Sequence, residues 1–517
     1  MAALAAAEDS ITAERRAEIG VDRNRWQSTR NKYKAWGPDL PAGGIDLDPE
    51  TLRGTTWEEL FTEPEHGPLI EMLTTLSPGG TDHRFPAKIQ KVGIPIIFDA
   101  MQNGKQAVMF DAPTGFGKTG AFTLPVLASI LSKKQKYASK AAHMANTKGP
   151  RALVLTLNRD LAFQHKKNIA REPRTAAASA AAGGGVKGKN GYMSGVLTDY
   201  VDGTEVDEDE LLVSCLVKFD DNTRGKGGKG GGKGGGKGGG KGGSRNDVFL
   251  QDRSKAYVCT SSFDQAAVFL GLKDKPKSLP IDNLDFIIFD EADQITGSPG
   301  GVQSVKKMLA ACPNAMPIFV SATIDEKASA DIIDICSTAY GAGNGRAVQK
   351  AKVHQEQRSS FTADFMLHEK ESKIEIMRGI TAHAREAGKC IVFCESKKIA
   401  EALEGKFKKP REEGGMGEET VTMIHGTSHN KNVRLRDEAL TAFMTQDTHN
   451  TLIATNVLSR GTDIKEIRTV INIELPVVGK AGTGADIPMY THRMGRATRS
   501  ETAGGKLVNV VGGTPWT

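Results

Sequence analysis

The stretch DAPTGFGKTG, residues 111–120, has the make-up of a phosphate cradle. An apolar run, QAVMF, precedes it, and AFTLPVLASIL after it repeats with helical spacing. Strand, glycine-rich turn and helix is the context in which such a loop holds a nucleotide. Gly115 and Gly117 let backbone N–H groups turn inward on phosphate oxygens, where the helix N-terminus adds its positive end. Lys118 then reaches the β/γ-phosphates and the Thr119 hydroxyl ligates Mg²⁺. Ala112 stands where the general pattern has its first glycine, with Thr114 completing the nucleotide-facing set. Phe116 occupies a small-residue position and is expected to point outward, because only the backbone faces phosphate at that step. The second chemical stretch is FIIFDEADQ, in which Asp290 and Glu291 directly follow a buried-type strand. One carboxylate there can hold Mg²⁺ through its waters and the next can polarise the attacking water. An isolated Asp–Glu pair would read as an acidic helix cap. A phosphate loop roughly 170 residues earlier in the same half favours the catalytic reading.

Such residues need rigid elements behind them. Short β-type runs recur: AVMF, ALVLTL, AYVCT, FIIFD and PIFVSAT in the first half, then CIVFC, VTMIH, TLIAT, TVINI and KLVNVV. Nearly continuous apolar strands alternating with helical patterns predict parallel sheets covered on both faces. Two groups of strands predict two α/β domains, joined in the polar region VQKAKVHQEQRSS, residues 348–360. In sheets of this kind ligands bind beyond the carboxyl ends of strands, which is where these residues fall.

A chain of 517 residues is too long for one core. Six cysteines with no C-x-x-C pair argue against a disulfide scaffold or a zinc site and fit a reducing compartment. MAALAAAEDS is too short an apolar run for a signal peptide, and no run reaches membrane-spanning length. A soluble protein of the cytoplasm or nucleus is expected, with no membrane partner. The net charge of +6 is local in origin: Arg224 to Arg245 holds seven Lys or Arg and no acid, leaving 61 basic against 62 acidic residues elsewhere. Residues 172–250 run through an Ala/Gly-rich stretch, an acidic run from Asp202 to Glu210 and lysines separated only by glycines. No core can be built from that composition, which predicts a disordered insertion in the first domain. Residues 1–50 are expected to form a poorly ordered extension, although RNRWQSTRNKYKAW mixes basic and aromatic residues suited to RNA.

In order, the chain contains KIQ, APTGFGKT, NRDLAFQ, CTSSFDQ, DEAD, SAT, IVFCES, an HG followed by Arg436, TNVLSRGTDI and HRMGRATR. That series resembles the DEAD-box family of ATP-dependent RNA helicases over residues 85 to 510. KIQ, TNVLSRG and the spacer PVVGKAGTGADIPMYTHR resemble its mRNA-export subgroup in particular. The resemblance implies two tandem RecA-like domains, an ATP-binding domain over 51–350 and a C-terminal helicase domain over 351–517. It implies ATP and Mg²⁺ as cofactors, RNA as a sequence-independent partner and a protein activator. Gln90 would read both edges of adenine, and Trp57 is a candidate for stacking on the base. Ser321 and Thr323 would link hydrolysis to strand separation, and Asp463 would contact the ribose from the second domain. Arg496 and Arg499 would be arginine fingers on the γ-phosphoryl, a task that suits a planar, permanently charged fork. Arg159, Thr260, Arg436 and Thr455 match positions on the RNA backbone, contacts that carry no base information. Without that context Arg493, Arg496 and Arg499 would read as a solvated basic patch.

The sequence departs from the family at several places. Leu157–Asn158 stands where Pro–Thr is usual, TSSFD lacks Pro-Gly-Arg after Thr260, Thr462 replaces an apolar residue and RATR replaces RTGR. Only 18 residues follow Arg499, so a helix usual in the family is expected to be missing. Phosphate-facing groups are kept while RNA-facing ones have drifted, which predicts retained ATP hydrolysis with a weaker grip on RNA. A DNA-acting motor of the same superfamily and an ATP/RNA-binding scaffold with little turnover remain as alternatives.

Overall fold

Runs such as AVMFD, ALVLT and FIIFD are apolar almost throughout, and strands of that kind need cover on both faces. In the computed structural model they are central strands of a nine-stranded sheet. The structure describes residues 33–36, 45–47, 56–67, 69–70, 73, 86–104, 106–112, 117–132, 149–170, 213–216, 256–273, 276–341, 345–353, 362–367, 379–384, 389–413, 415, 417, 421–424, 439–440, 442–444, 450–456, 464, 467–477, 484–497 and 505–511.

The first sheet contains β1 (Tyr33–Trp36), β2 (Ile45–Leu47), β3 (Ala107–Asp111), β4 (Ala152–Thr156), β5 (Val213–Cys215), β6 (Val258–Ser262), β7 (Phe286–Asp290), β8 (Met316–Ser321) and β9 (Val348–Val353). Its order is β2-β1-β9-β3-β8-β7-β4-β6-β5. From β9 to β5 every pairing is parallel, whereas β1 adds to β9 antiparallel and β2 adds to β1. Helices α1 (Lys88–Gln102), α2 (Lys118–Ser132), α3 (Arg159–Ala170), α4 (Phe263–Phe269), α5 (Ala292–Gly297), α6 (Gly301–Ala311) and α7 (Glu326–Thr338) connect the strands. Alternation along β3 splits the core. Val108 and Phe110 face the cluster made with α1 and α2, and Met109 faces the cluster made with α5 to α7. In the second cluster the Phe289 and Phe319 rings stack at 5.0 Å.

The second sheet is wholly parallel, in the order β10-β15-β14-β11-β13-β12. Its strands are β10 (Thr362–Leu367), β11 (Cys390–Phe393), β12 (Val421–Ile424), β13 (Thr451–Ala454), β14 (Thr469–Asn472) and β15 (Lys506–Val511), with α8 (Lys397–Phe407) and α9 (Ile487–Met494) beside them. Two further apolar clusters fill its faces.

The two-domain α/β expectation holds, with four corrections. VQKAKV, read as linker, is β9, so the first sheet runs past the expected boundary at 350 and ends at Val353. Its polar look is a period-two pattern: Gln349 and Ala351 are buried while Lys350 and Lys352 are half-exposed. Part of the N-terminal extension forms β1 and β2. Part of the insertion is β5, where Val213 to Cys215 pair with β6. The second sheet has a sixth strand, β10, whose Ala363 and Asp364 are exposed as befits an edge without an apolar run. The Gly–Lys tract, residues 224–245, lies outside the described residues.

Candidate nucleotide and nucleic-acid site

The phosphate loop leaves the carboxyl end of β3 and enters α2 at Lys118. Ala112 is buried, and its N–H bonds the Ser321 carbonyl at the end of neighbouring β8 at 3.1 Å. Lys118 Nζ donates to the Ala112 carbonyl at 2.7 Å, so the ammonium closes the loop on its own start. Gly117 has φ +84°, the left-handed region, and a Cβ there would lie 2.8 Å from Gln90 Nε2. Gln90 fastens the loop to α1. Its Nε2 donates to the Gly117 carbonyl at 3.1 Å and its Oε1 accepts from the Ala87 N–H at 2.7 Å. A carboxamide has two donor hydrogens and two acceptor lone pairs, so these two bonds use one of each. Thr119 is half-buried in the first turn of α2. Thr114, Gly115 and Phe116 lie outside the described residues, as do Asp463, Arg436 and Arg499.

Trp57 does not suit base stacking. It is 2% exposed, with its ring stacked on Phe61 at 6.3 Å in the core. A ring that receives a base must have an open face before the base arrives.

Asp290 closes β7 and Glu291 follows at φ 57°, ψ 46°, which makes it the one non-glycine with positive φ among the described residues. Such strain persists only where surrounding structure enforces it, and it gathers at functional sites. His165 of α3 and Asp290 pair through Nε2 and Oδ2 at 2.7 Å. Asp293, on the first turn of α5, accepts from Ser321 Oγ at 2.5 Å and from Thr323 Oγ1 at 2.7 Å. The SAT and DEAD segments are thus tied by two charge-assisted bonds. From the second unit, His492 Nε2 lies 3.5 Å from Glu291 Oε2 and 3.4 Å from Thr323 Oγ1. Sequence reasoning missed Asp293, His165 and His492. Asp293 and His492 were signalled by their place inside DEAD and HRMGRATR, whereas nothing local distinguished His165.

Arg493 and Arg496 do not form a solvated patch: Arg493 is fully buried and Arg496 is 1% exposed. Arg493 donates to Asn456 Oδ1 at 3.1 Å, Asn472 Oδ1 at 3.2 Å and the Glu474 carbonyl at 2.8 Å, and it pairs with Glu395. Its guanidinium also lies over the Phe393 ring at 5.1 Å. Burial pulls its pKa down and the Glu395 carboxylate opposes this, while burial pushes the nearby Glu474 carboxyl up. Arg493 therefore joins β11, β13 and β14 beneath the site, and α9 presents its neighbour His492 to the first unit.

Of the residues assigned to RNA, Arg159 begins α3 and is half-buried, and Thr455 follows β13 at 7% exposure. Thr260 differs from expectation. It sits within β6 with no exposure and gives its hydroxyl to the Ala162 carbonyl at 2.8 Å, so it braces α3 from below.

Comparison with known proteins yields two family models in the order of the two sheets. DEAD/DEAH box helicase matches residues 87–192, and helicase conserved C-terminal domain matches 372–501. Both units of this chain are thus similar to the DEAD-box helicases. The first match ends inside the insertion that interrupts this helicase fold before β5. Among relatives, DEAD-box ATP-dependent RNA helicase 38 of Arabidopsis thaliana is 26% identical over 231 residues, covering 43% of this chain and 42% of its own length. ATP-dependent RNA helicase dbp5 of Aspergillus clavatus is 23% identical over 500 residues, covering 93% of this chain and 83% of its own. The chain thus spans less than half of the first relative and most of the second. Among solved structures, S. cerevisiae Dbp5 bound to RNA and ADP BeF3 matches with TM-score 0.57 at 18% identity, over 89% of this chain and 90% of that one. At that identity the likeness concerns the fold, and the tandem RecA-like architecture of the DEAD-box helicases is the fold seen here.

Proposed function

We propose that this chain is an ATP-dependent RNA helicase that hydrolyses ATP to separate short RNA duplexes or remodel RNA–protein complexes. One observation carries the reading: His492 of the second unit meets both Glu291 and Thr323 of the first. The residue that orients water and the residue that ties SAT to DEAD are completed by the other domain. Hydrolysis and domain arrangement then become one event, the logic of a closing motor.

In this reading Gln90 selects adenine, and the loop from Ala112 through Thr114, Gly115 and Gly117 to Lys118 holds the phosphates. Asp463 takes the ribose, and Arg496 and Arg499 steady charge on the γ-phosphoryl. Glu291 accepts hydrogen from the attacking water, and Asp293 carries the state of that site to Ser321 and Thr323. Asp290 and Thr119 offer oxygen donors only, and no cluster of three or more His, Cys, Asp or Glu suited to a metal occurs among the described residues. That donor set fits Mg²⁺, which keeps most of its water and binds phosphate oxygens. When bound, Mg²⁺ neutralises charge on the β- and γ-phosphates. Arg159, Arg436 and Thr455 contact RNA phosphate and sugar, with Thr260 acting through α3. A protein activator is a further proposed partner, and the long match to the dbp5 relative supports the export-subgroup assignment. Among the described residues no helix is long and apolar enough to cross a membrane.

The test is the steady-state ATPase rate with no nucleic acid, with single-stranded RNA and with duplex DNA. RNA is expected to stimulate more than DNA of equal length, because contacts to the 2′-OH distinguish the two. Greater stimulation by duplex DNA would favour the DNA motor, and binding of ATP and RNA without phosphate release would favour the scaffold.

A further inference from the structure

We propose that His165 is a positioning residue for the cation-binding carboxylate, fixing Asp290 so that one of its oxygens faces the hydration shell of Mg²⁺. The inference rests on the nucleotide-site reading above. Asp290 is 8% exposed, and a carboxylate that leaves bulk water must be given donors to stay charged. The donor here is His165 Nε2, at 2.7 Å from Asp290 Oδ2. Asp290 can only accept while it is ionised, so the hydrogen resides on Nε2. The opposite ring nitrogen agrees, since Nδ1 is buried and meets no hydrogen-bond partner among the described residues. A bare lone pair in that place costs less than an orphaned N–H.

The imidazole is held from three sides. It belongs to α3, is 2% exposed, and packs at 5.9 Å against Phe122, one turn beyond Lys118 on the phosphate-loop helix. Thr260 pins α3 to β6 one turn earlier, at Ala162. Burial, the Phe122 contact and the anchored helix together favour this ring position, in which His165 is paired with Asp290 Oδ2. A ligand's hydrogen-bonded partner commonly sets its orientation in metal sites, and losing such a partner costs about 10–100-fold in metal affinity. A histidine kept only to fill the core would not need to aim Nε2 at this carboxylate.

The experiment uses the full chain and a fluorescent ATP analogue titrated with MgCl₂ after EDTA treatment, alongside thermal melting. Wild-type protein is expected to show Mg²⁺-dependent binding of the analogue; its absence would overturn the nucleotide-site reading and this proposal with it. His165→Leu removes the donor. His165→Asn keeps an amide that is too short to reach, and His165→Gln places an amide near the position of Nε2. Leu and Asn should raise the half-saturating Mg²⁺ concentration about tenfold or more, leaving affinity in EDTA unchanged, and Gln should return it to within about threefold of wild type. If Leu fails to fold, the Asn–Gln pair decides. Equal Mg²⁺ midpoints for Asn and Gln, or a wild-type midpoint in Leu, would overturn the positioning role while leaving the nucleotide site standing.

Discussion

Glu291 combines strain with chemistry. Holding a non-glycine residue at φ 57° costs on the order of 1 kcal/mol, yet the position faces His492 and follows Asp290, the carboxylate proposed to hold the cation. Glu291→Gln keeps the shape and the backbone demand while removing the acceptor for water. Its ATP affinity should stay within about threefold and its turnover fall by about 10²–10⁴, measured by equilibrium binding and single-turnover hydrolysis. Near-normal turnover would remove Glu291 from the mechanism. Gly117→Ala acts differently: the new Cβ would meet Gln90 Nε2 at 2.8 Å on a backbone already at φ +84°. Displacing Gln90 should weaken ATP binding about tenfold or more and narrow the preference for ATP over GTP, since the amide proposed to read adenine also anchors the loop. A variant that binds ATP more weakly but discriminates as before would separate those two roles. At this scale the sequence located the strand end and helix start correctly, with Asp290 closing β7 and Lys118 opening α2 as expected. It was silent where function depends on a partner distant in the chain. Asp290 finds His165 from 125 residues away, and Thr323 finds His492 from 169 away, so no local pattern could announce either pair.

Among the elements, strands buried on both faces were legible because they are apolar at nearly every position, and β9, β10 and β5 were not because edges and polar faces dilute the signal. β5 changes what the insertion is. Cys215 is buried, and Leu216 donates its N–H to the Thr260 carbonyl at 2.8 Å, so this short strand covers the outer edge of β6 beside α3. Removing residues 172–250 would strip that edge, leave β6 paired to β4 alone and uncover the site where Thr260 braces α3. Removing residues 224–245 alone touches none of the described contacts. The long deletion should lower the melting temperature by several degrees and promote self-association, as exposed strand edges do, while the short one should leave both unchanged. Equal melting for the two deletions would mean that β5 contributes nothing to the sheet.

Charge is unevenly spread along the whole molecule, with residues 224–245 carrying all of its basic excess. Outside residues 224–245 the chain has 61 basic and 62 acidic residues, so general attraction to a polyanion must come largely from the seven Lys and Arg inside that tract. The tract departs from the chain between α3, whose first residue Arg159 is assigned to RNA, and β6, which carries Thr260. Its lysines are therefore tethered close to the proposed RNA path. Glycine between the lysines offers no side chain to pack, a composition that favours attraction without fixed contacts. Each phosphate neutralised on a single strand steepens the log–log salt dependence of binding by roughly 0.7, so seven contacts would contribute at most about 5. Dynamic engagement should give about half of that. Deleting residues 224–245 should thus weaken RNA binding at low salt and flatten the salt slope by about 2 to 3, measured by anisotropy between 50 and 200 mM salt. The maximal ATPase rate at saturating RNA should hardly change, because Glu291, His492 and the phosphate loop lie on elements that the deletion does not reach. An unaltered slope would reduce the tract to a spacer and shift the burden of RNA attraction onto Arg159, Arg436 and the remaining basic residues of the two domains.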